Sequence, residues 1–239
     1  MKVVKRLVRD FIVRTRLSRN TTNKLFACLT YPEFLDKLAL TAKVPHTYET
    51  RDIFWKNIVE RIGPTEPVLF LEFGVYRGDS IRWFSKNFSN PMSLFLGFDT
   101  FAGLPEDWEV RNVPAGTFSC NGQEPCVDDP RVSFVKGLFS DSLPKTIDKI
   151  KAAAEGRTVL VHFDADLFSS TLFVLTFIWQ RFDHYYFLFD EFFGEESWAL
   201  STFMQSYPCQ LEFLASDTPS GQLGVPTPAR LFGTIRNAR

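Results

Sequence analysis

The sequence predicts an α/β chain: a doubly wound, seven-stranded, mostly parallel sheet preceded by an N-terminal helical extension. Three observations predict it. Beyond residue 63, short apolar runs alternate with segments of helical periodicity. Four of the first five runs end in carboxylates, at Glu72, at Asp99, at Asp164 and Asp166, and at Asp190 and Glu191. The last two runs are joined by a Gly/Pro-rich loop with no room for a crossover helix, so the final strand enters antiparallel.

The elements follow in order. Residues 1–62 read as a helical extension or cover. Val4, Leu7, Val8, Phe11 and Ile12 share one helical face with Lys and Arg opposite, the pattern of a cover helix or of a weak membrane-surface or partner contact. Arg51 to Ile62 is amphipathic and stops at Gly63-Pro64, where the main domain, 63–239, begins. Val68–Phe73 is a strand and Asp79–Phe88 a helix. Ser93–Phe98 is the second strand, and residues 101–130 form a long Gly-, Pro-, Asn- and Asp-rich segment. Val132–Val135 and Leu143–Ala154 are the next strand and helix. Thr158–Phe163 precedes a helix over Ser170–Arg181, with Ser169 or Ser170 as its N-cap. Tyr185–Phe189, a helix over Ser197–Ser206, and strands at Gln210–Ala215 and Arg230–Ile235 complete the chain.

Composition bounds the function. The net charge is −1 over 239 residues, which gives no bulk electrostatic case for nucleic acid. The charge is uneven, with residues 1–20 at net +6 and the remainder at net −7. No run is long and apolar enough to span a bilayer, and no secretory signal is visible. The four cysteines are scattered, with only Cys120 and Cys126 close enough to pair. Free thiols in a cytoplasmic protein are the expectation. Phe occurs 26 times, enough for a core and for aromatic cleft walls as well.

The carboxylates carry the functional reading. In a parallel sheet the strand ends lie along one edge, where ligands bind. Glu72, Phe73, Gly74, Val75, Gly78 and Ser80 form a strand–loop–helix turn whose Glu72-x-Gly74-x-x-x-Gly78 spacing departs from the dinucleotide fingerprint. An acid at that strand end repels a pyrophosphate and suits a cationic ligand. Asp99, followed by Thr100, stands 27 residues after Glu72, where a carboxylate can accept from both ribose hydroxyls. A cationic ligand with a ribose fits S-adenosylmethionine. Residues Gly137 to Ser140, after the third strand, are expected to border its adenine. Asp164, Asp190 and Glu191 make an all-oxygen set suited to Mg²⁺, or to Mn²⁺ in its place. Asp166 lies beyond its strand end and can reach a substrate proton. His162 shares a strand face with Asp164 and reads as a hydrogen-bonded core histidine. Phe101, Trp108 and Phe118 give the 101–130 segment the makings of a lid.

The segments LEFGVYRGDSI (71–81), GFDTFAGLPEDW (97–108), HFDADLFSST (162–171) and LFDEFFG (188–194) resemble the macrocin O-methyltransferase, or TylF-type, family of S-adenosylmethionine-dependent enzymes. The resemblance spans roughly residues 65–235. It implies a Rossmann-like methyltransferase fold and Mg²⁺-assisted methylation of a hydroxyl on a sugar, glycan or sugar-containing natural product. It further implies Asp164, Asp190 and Glu191 as metal ligands and Asp166 as general base. Asp190-Glu191 departs from the Asp-Asp usual in that family, and the Pro-Gly turn usual before the fifth strand is absent. A homodimer is compatible with the sequence. The rival readings are a D-x-D metal-dependent glycosyltransferase, resting on Asp164-Ala165-Asp166, and a non-catalytic S-adenosylmethionine-binding or partner-binding module. A NAD-dependent dehydrogenase ranks last for want of the fingerprint.

Overall fold

A computed structural model describes residues 47–48, 50–109, 111–192, 194–217, 219–220, 227–228 and 230–237 of the 239-residue chain. The basic helix expected at the N-terminus and Cys28 lie outside the described residues.

The strands are β1 (Thr47–Tyr48), β2 (Val68–Phe73), β3 (Leu94–Asp99), β4 (Val132–Lys136), β5 (Thr158–Phe163), β6 (His184–Phe189), β7 (Cys209–Asp217), β8 (Pro219–Ser220), β9 (Thr227–Pro228) and β10 (Leu231–Asn237). The helices are α1 (Arg51–Ile62), α2 (Asp79–Asn87), α3 (Phe139–Ala154), α4 (Phe168–Trp179) and α5 (Glu195–Ser206). The main sheet runs β4-β3-β2-β5-β6-β10-β7, with the two-residue β1 added beside β7. Strands β4 to β6 pair in parallel, and β10 is antiparallel to both β6 and β7. This is the Rossmann-like methyltransferase order, with the antiparallel strand one place in from the edge, as the short final loop predicts. β8 and β9 pair as a separate two-stranded ribbon.

Alternation along β2 explains the two-layer core. Leu69, Leu71 and Phe73 face α3, α4 and α5, whereas Val68, Phe70 and Glu72 face α1 and α2. All six β2 residues are buried, as a central strand covered on both faces requires. Helix α1 packs Phe54, Trp55, Ile58 and Val59 into the second layer, so the segment just before Gly63 belongs to the same hydrophobic core. Its N-cap is Thr50, whose hydroxyl accepts from the Ile53 N–H.

Three helix starts differ from the sequence expectation, two of them for a reason that bears on the site. Helix α4 begins at Phe168 and takes neither Ser169 nor Ser170 as cap; its N-cap residue, Leu167, has no side-chain bond. The Phe168 N–H is instead satisfied at 2.7 Å by Glu195 Oε2, from the first residue of α5. Ser169 is turned to Glu106, whose carboxylate its hydroxyl meets. Helix α5 likewise starts two residues earlier than expected, so that Glu195 and Glu196 occupy its first turn. A cap supplied by another helix leaves no signal in the local sequence. Helix α3 extends one turn ahead of Leu143, with Pro144 inside it.

Candidate active site

One cavity of about 270 Å³ opens at the carboxyl edge of the sheet, over the ends of β2, β3 and β5. Its floor is the β2–α2 loop. Gly74 has φ +93°, and a Cβ there would sit 1.8 Å from the Asp164 carbonyl oxygen. Only glycine admits that approach, and it ties the β2 loop to the β5 loop. The Gly74 N–H bonds the Phe98 carbonyl at 3.0 Å, and the Asp164 N–H bonds Phe73 at 2.9 Å.

Asp99 organises this floor. Its Oδ2 accepts from the Val75 and Tyr76 N–H groups at 2.8 and 2.9 Å, and its Oδ1 accepts from the Phe101 N–H at 2.7 Å. Thr100 adds a bond from its hydroxyl to the Gly103 carbonyl. Tyr76 and Phe101 have positive φ, at 50° and 56°. An acid that satisfies their amides holds both residues in that sparsely populated region. A carboxylate has about four acceptor sites, so Asp99 keeps capacity for a further donor at the cavity wall.

Of the residues expected to bind a cofactor, Gly74, Asp99, Thr100 and Asp164 line the cavity, as do the expected base Asp166 and Glu191. Leu138 and Phe139 line it at the place expected for an adenine; Gly137 supports them from behind, its N–H on the Asp99 carbonyl at 2.9 Å. Phe73, Val75, Gly78 and Ser80 shape the loop without forming the wall.

Glu72 stands elsewhere than its position in the motif suggests. It is fully buried beneath the loop, where it takes the Ser80 hydroxyl and lies 2.9 Å from His162 Nδ1. It pairs with Gly97 and His162, two residues short of Asp99 and Asp164, and so lies deeper along the sheet than the cavity, on the side of α1 and α2. Burial pushes its carboxyl pKa up, against the lowering effect of His162. His162 is therefore the bonded core histidine its sequence context suggests.

The acids after β5 and β6 gather on the opposite side, with Asp164, Asp166 and Glu191 at the wall and Asp190 buried outside the lining. Asp166 adopts φ +61°, in the left-handed region that Asp tolerates better than most residues. Burial, reinforced by Glu191 and Asp190, raises its pKa to about 7. Burial and the neighbouring Asp190 and Asp166 push Asp164 well up too. Two arginines with no motif around them supply the balancing charge. Arg230 donates to Asp190 Oδ1 at 2.9 Å and reaches Asp217 at 2.9 Å. Arg111, from the 101–130 segment, donates to Glu191 Oε2 at 2.7 Å and lies over the Trp108 ring.

This arrangement does not present Asp164, Asp190 and Glu191 as a ready metal cage. Among the described residues, no group of three or more His, Cys, Asp or Glu side chains is placed to hold a metal ion. The donor chemistry suits a hard cation, and Asp190 and Glu191 each have one carboxylate oxygen committed to an arginine, Arg230 and Arg111.

The 101–130 segment folds over the cavity and contributes Leu104, Trp108 and Phe118 to its walls. It is tied to the acidic wall through Arg111–Glu191 and Glu106–Ser169, and to the floor through the Cys120 thiol on the Tyr76 carbonyl. Cys120 and Cys126 are free thiols and do not pair. No helix among the described residues is long and apolar enough to cross a membrane.

No protein-family profile matches the chain, and no curated protein matches it. Solved structures similar to it include an O-methyltransferase from Bacillus cereus in complex with SAH, at 12% identity over 97% of each chain with a TM-score of 0.46. Cofactor-bound Rv0187 from MTB is similar at 15% identity, covering 86% of this chain and 89% of that one, with a TM-score of 0.45. CmcI with Mg and SAM is similar at 12% identity, covering 80% and 77%, with a TM-score of 0.43. The fold assignment rests on the strand order itself.

Proposed function

We propose that the chain is an S-adenosylmethionine-dependent methyltransferase acting on a hydroxyl group, with a sugar, a glycan or a sugar-containing natural product as acceptor. One observation carries the reading. A single cavity has the Gly74–Asp99 floor on one side and the Asp166 carboxyl on the other. Asp99 and Thr100 would hold the ribose, Leu138 and Phe139 the adenine, and the carboxylate of Asp164 the cationic end. When bound, the cofactor supplies an electrophilic methyl group. The chain's own contribution is a base and an apolar wall. Asp166, with a pKa near neutrality, takes the proton from an acceptor hydroxyl, which is a poor nucleophile while protonated. Trp108, Leu104 and Phe118 give the acceptor an apolar wall to pack against.

The family resemblance implies magnesium assistance; Asp164, Asp190 and Glu191 would hold the ion, with Arg230 already paired to Asp190 and Arg111 to Glu191. The test is a methyl-transfer screen with labelled cofactor over diol-bearing sugars and catechols, with Mg²⁺ and with EDTA. Transfer to a hydroxyl, lost in Asp166→Asn, supports the reading. Binding of UDP-sugars in place of S-adenosylhomocysteine refutes it in favour of glycosyl transfer. Transfer that persists in EDTA assigns the charge balance to the arginines.

A further inference from the structure

Glu196 has no part in the motifs that point to the site, yet it touches both loops that build the acidic wall. It is the second residue of α5 and is fully buried. Its Oε1 accepts from the Ala165 N–H at 3.3 Å, and its Oε2 accepts from the Glu191 N–H at 3.2 Å. Ala165 stands between Asp164 and Asp166 after β5, and Glu191 follows Asp190 after β6. One carboxylate thus spans the two strand ends carrying the four acids. Its neighbour Glu195 takes the Phe168 N–H, so α5 holds both ends of the 165–168 turn, which is closed internally by the Leu167 N–H on the Ala165 carbonyl. That turn contains Asp166, whose positive φ persists only where its surroundings over-determine it.

We propose that Glu196 is a positioning residue for methyl transfer, clamping the β5 and β6 loops together so that the Asp166 carboxyl faces the cofactor floor. Two features favour a clamp over an ordinary buried acid. Both carboxylate oxygens are spent on backbone amides of two different loops, an arrangement that fixes main-chain geometry. The site also sits among like charges, where a neutral side chain would be easier to bury if packing were all that was needed. The inference rests on the methyltransferase reading for its kinetic part only.

The test is E196Q. The amide keeps the size of the side chain but offers one acceptor oxygen, so its NH₂ faces one of the two N–H groups and one bond is lost. With labelled cofactor and the best acceptor from the screen, turnover is expected to fall about 100-fold, the loss that a displacement of about 1 Å can cause. Affinity for S-adenosylhomocysteine, by calorimetry, should fall by less than about tenfold, because Asp99, Thr100, Leu138 and Phe139 are untouched and only Asp164 of the cofactor-binding residues lies beside the released Ala165. A merely structural role would instead weaken both together. In a D166N background E196Q should cost no further rate, since it acts through Asp166; an equal loss in both backgrounds overturns the proposal. Amide exchange supplies a readout that needs no activity. The Ala165 and Glu191 amides should be protected in the wild-type chain, and at least one should lose protection in E196Q. Fast exchange of both in the wild-type chain overturns the clamp even if E196Q fails to fold. Protected amides in a chain that transfers no methyl group would leave the clamp standing and remove the methyltransferase reading.

Discussion

Asp166→Asn separates the chemistry of the wall from its stability, with opposite signs. In the folded chain Asp166 ionises near pH 7, against an ordinary value of 3.8, because burial and the adjacent Glu191 and Asp190 disfavour the anion. A carboxyl raised in this way contributes its stability fully below the unfolded value, and that contribution is lost as pH rises through the folded one. The difference of about three pKa units corresponds to an upper bound of about 4 kcal/mol between pH 4 and pH 8. Asparagine is nearly isosteric and tolerates φ +61°, so it removes the titration without forcing the turn. Asp166→Asn should therefore match the wild-type melting temperature at pH 4 and exceed it at pH 8. At about 2–4 °C per kcal/mol for a chain of this size, the gain has a ceiling of roughly 8–16 °C. Turnover should fall about 10²–10⁴-fold, the usual loss on removing a general base. The wild-type kcat/KM should rise with pH through about 7 as the base ionises. Thermal scans from pH 4 to 8, run beside the labelled-methyl assay, check both halves. A turnover within threefold of wild type removes Asp166 as base, and a melting difference that does not change with pH refutes the buried-charge argument.

Three further outcomes follow from the geometry. Gly74→Ala should cost about 3 kcal/mol or more in urea unfolding, since the residue combines φ +93° with a Cβ position 1.8 Å from the Asp164 carbonyl. Arg230→Met should cost about 3–5 kcal/mol in urea unfolding at pH 8 by removing the Arg230 cation from the buried Asp190 and Asp217. Arg111→Gln should cost under about 1 kcal/mol, because its pair with Glu191 is about 30% exposed, yet it should speed protease cleavage within residues 101–130 by releasing the lid.

The fold was legible because its determinants are local. The apolar runs of β2 and β5, the stop at Gly63-Pro64 and the short connection before β10 each act over a few residues. The acidic edge was legible for the same reason: strand ends in a parallel sheet share one side whatever their order. The roles of individual acids were less so, because they depend on how far along the sheet each acid stands. Glu72 pairs with Gly97, two residues short of Asp99, so it lies under the loop against Ser80 and His162, whereas Asp99 reaches the wall. Arg111 and Arg230 were invisible, since each meets its partner across 80 and 40 residues with no motif around it.

Glu196 lies between these cases. Its signal is present in the sequence, as a pair of acids five residues past Asp190-Glu191, but acids in a helix's first turn are ordinary complements to the helix dipole. Only its burial and its two amide partners distinguish it. A group that the site uses to fix backbone does not resemble a reactive group in the sequence, because its chemistry is spent on main-chain N–H groups that every residue carries. If the clamp is real, the strain at Asp166 and the burial of Glu196 are one device. The turn is held in a sparsely populated conformation by an acid that cannot reach water, and loosening either should relax the other. Relaxed φ at residue 166 in an E196Q structure, with the β2 loop unmoved, would be its signature; an unchanged turn would show that α4 and the sheet hold Asp166 without help.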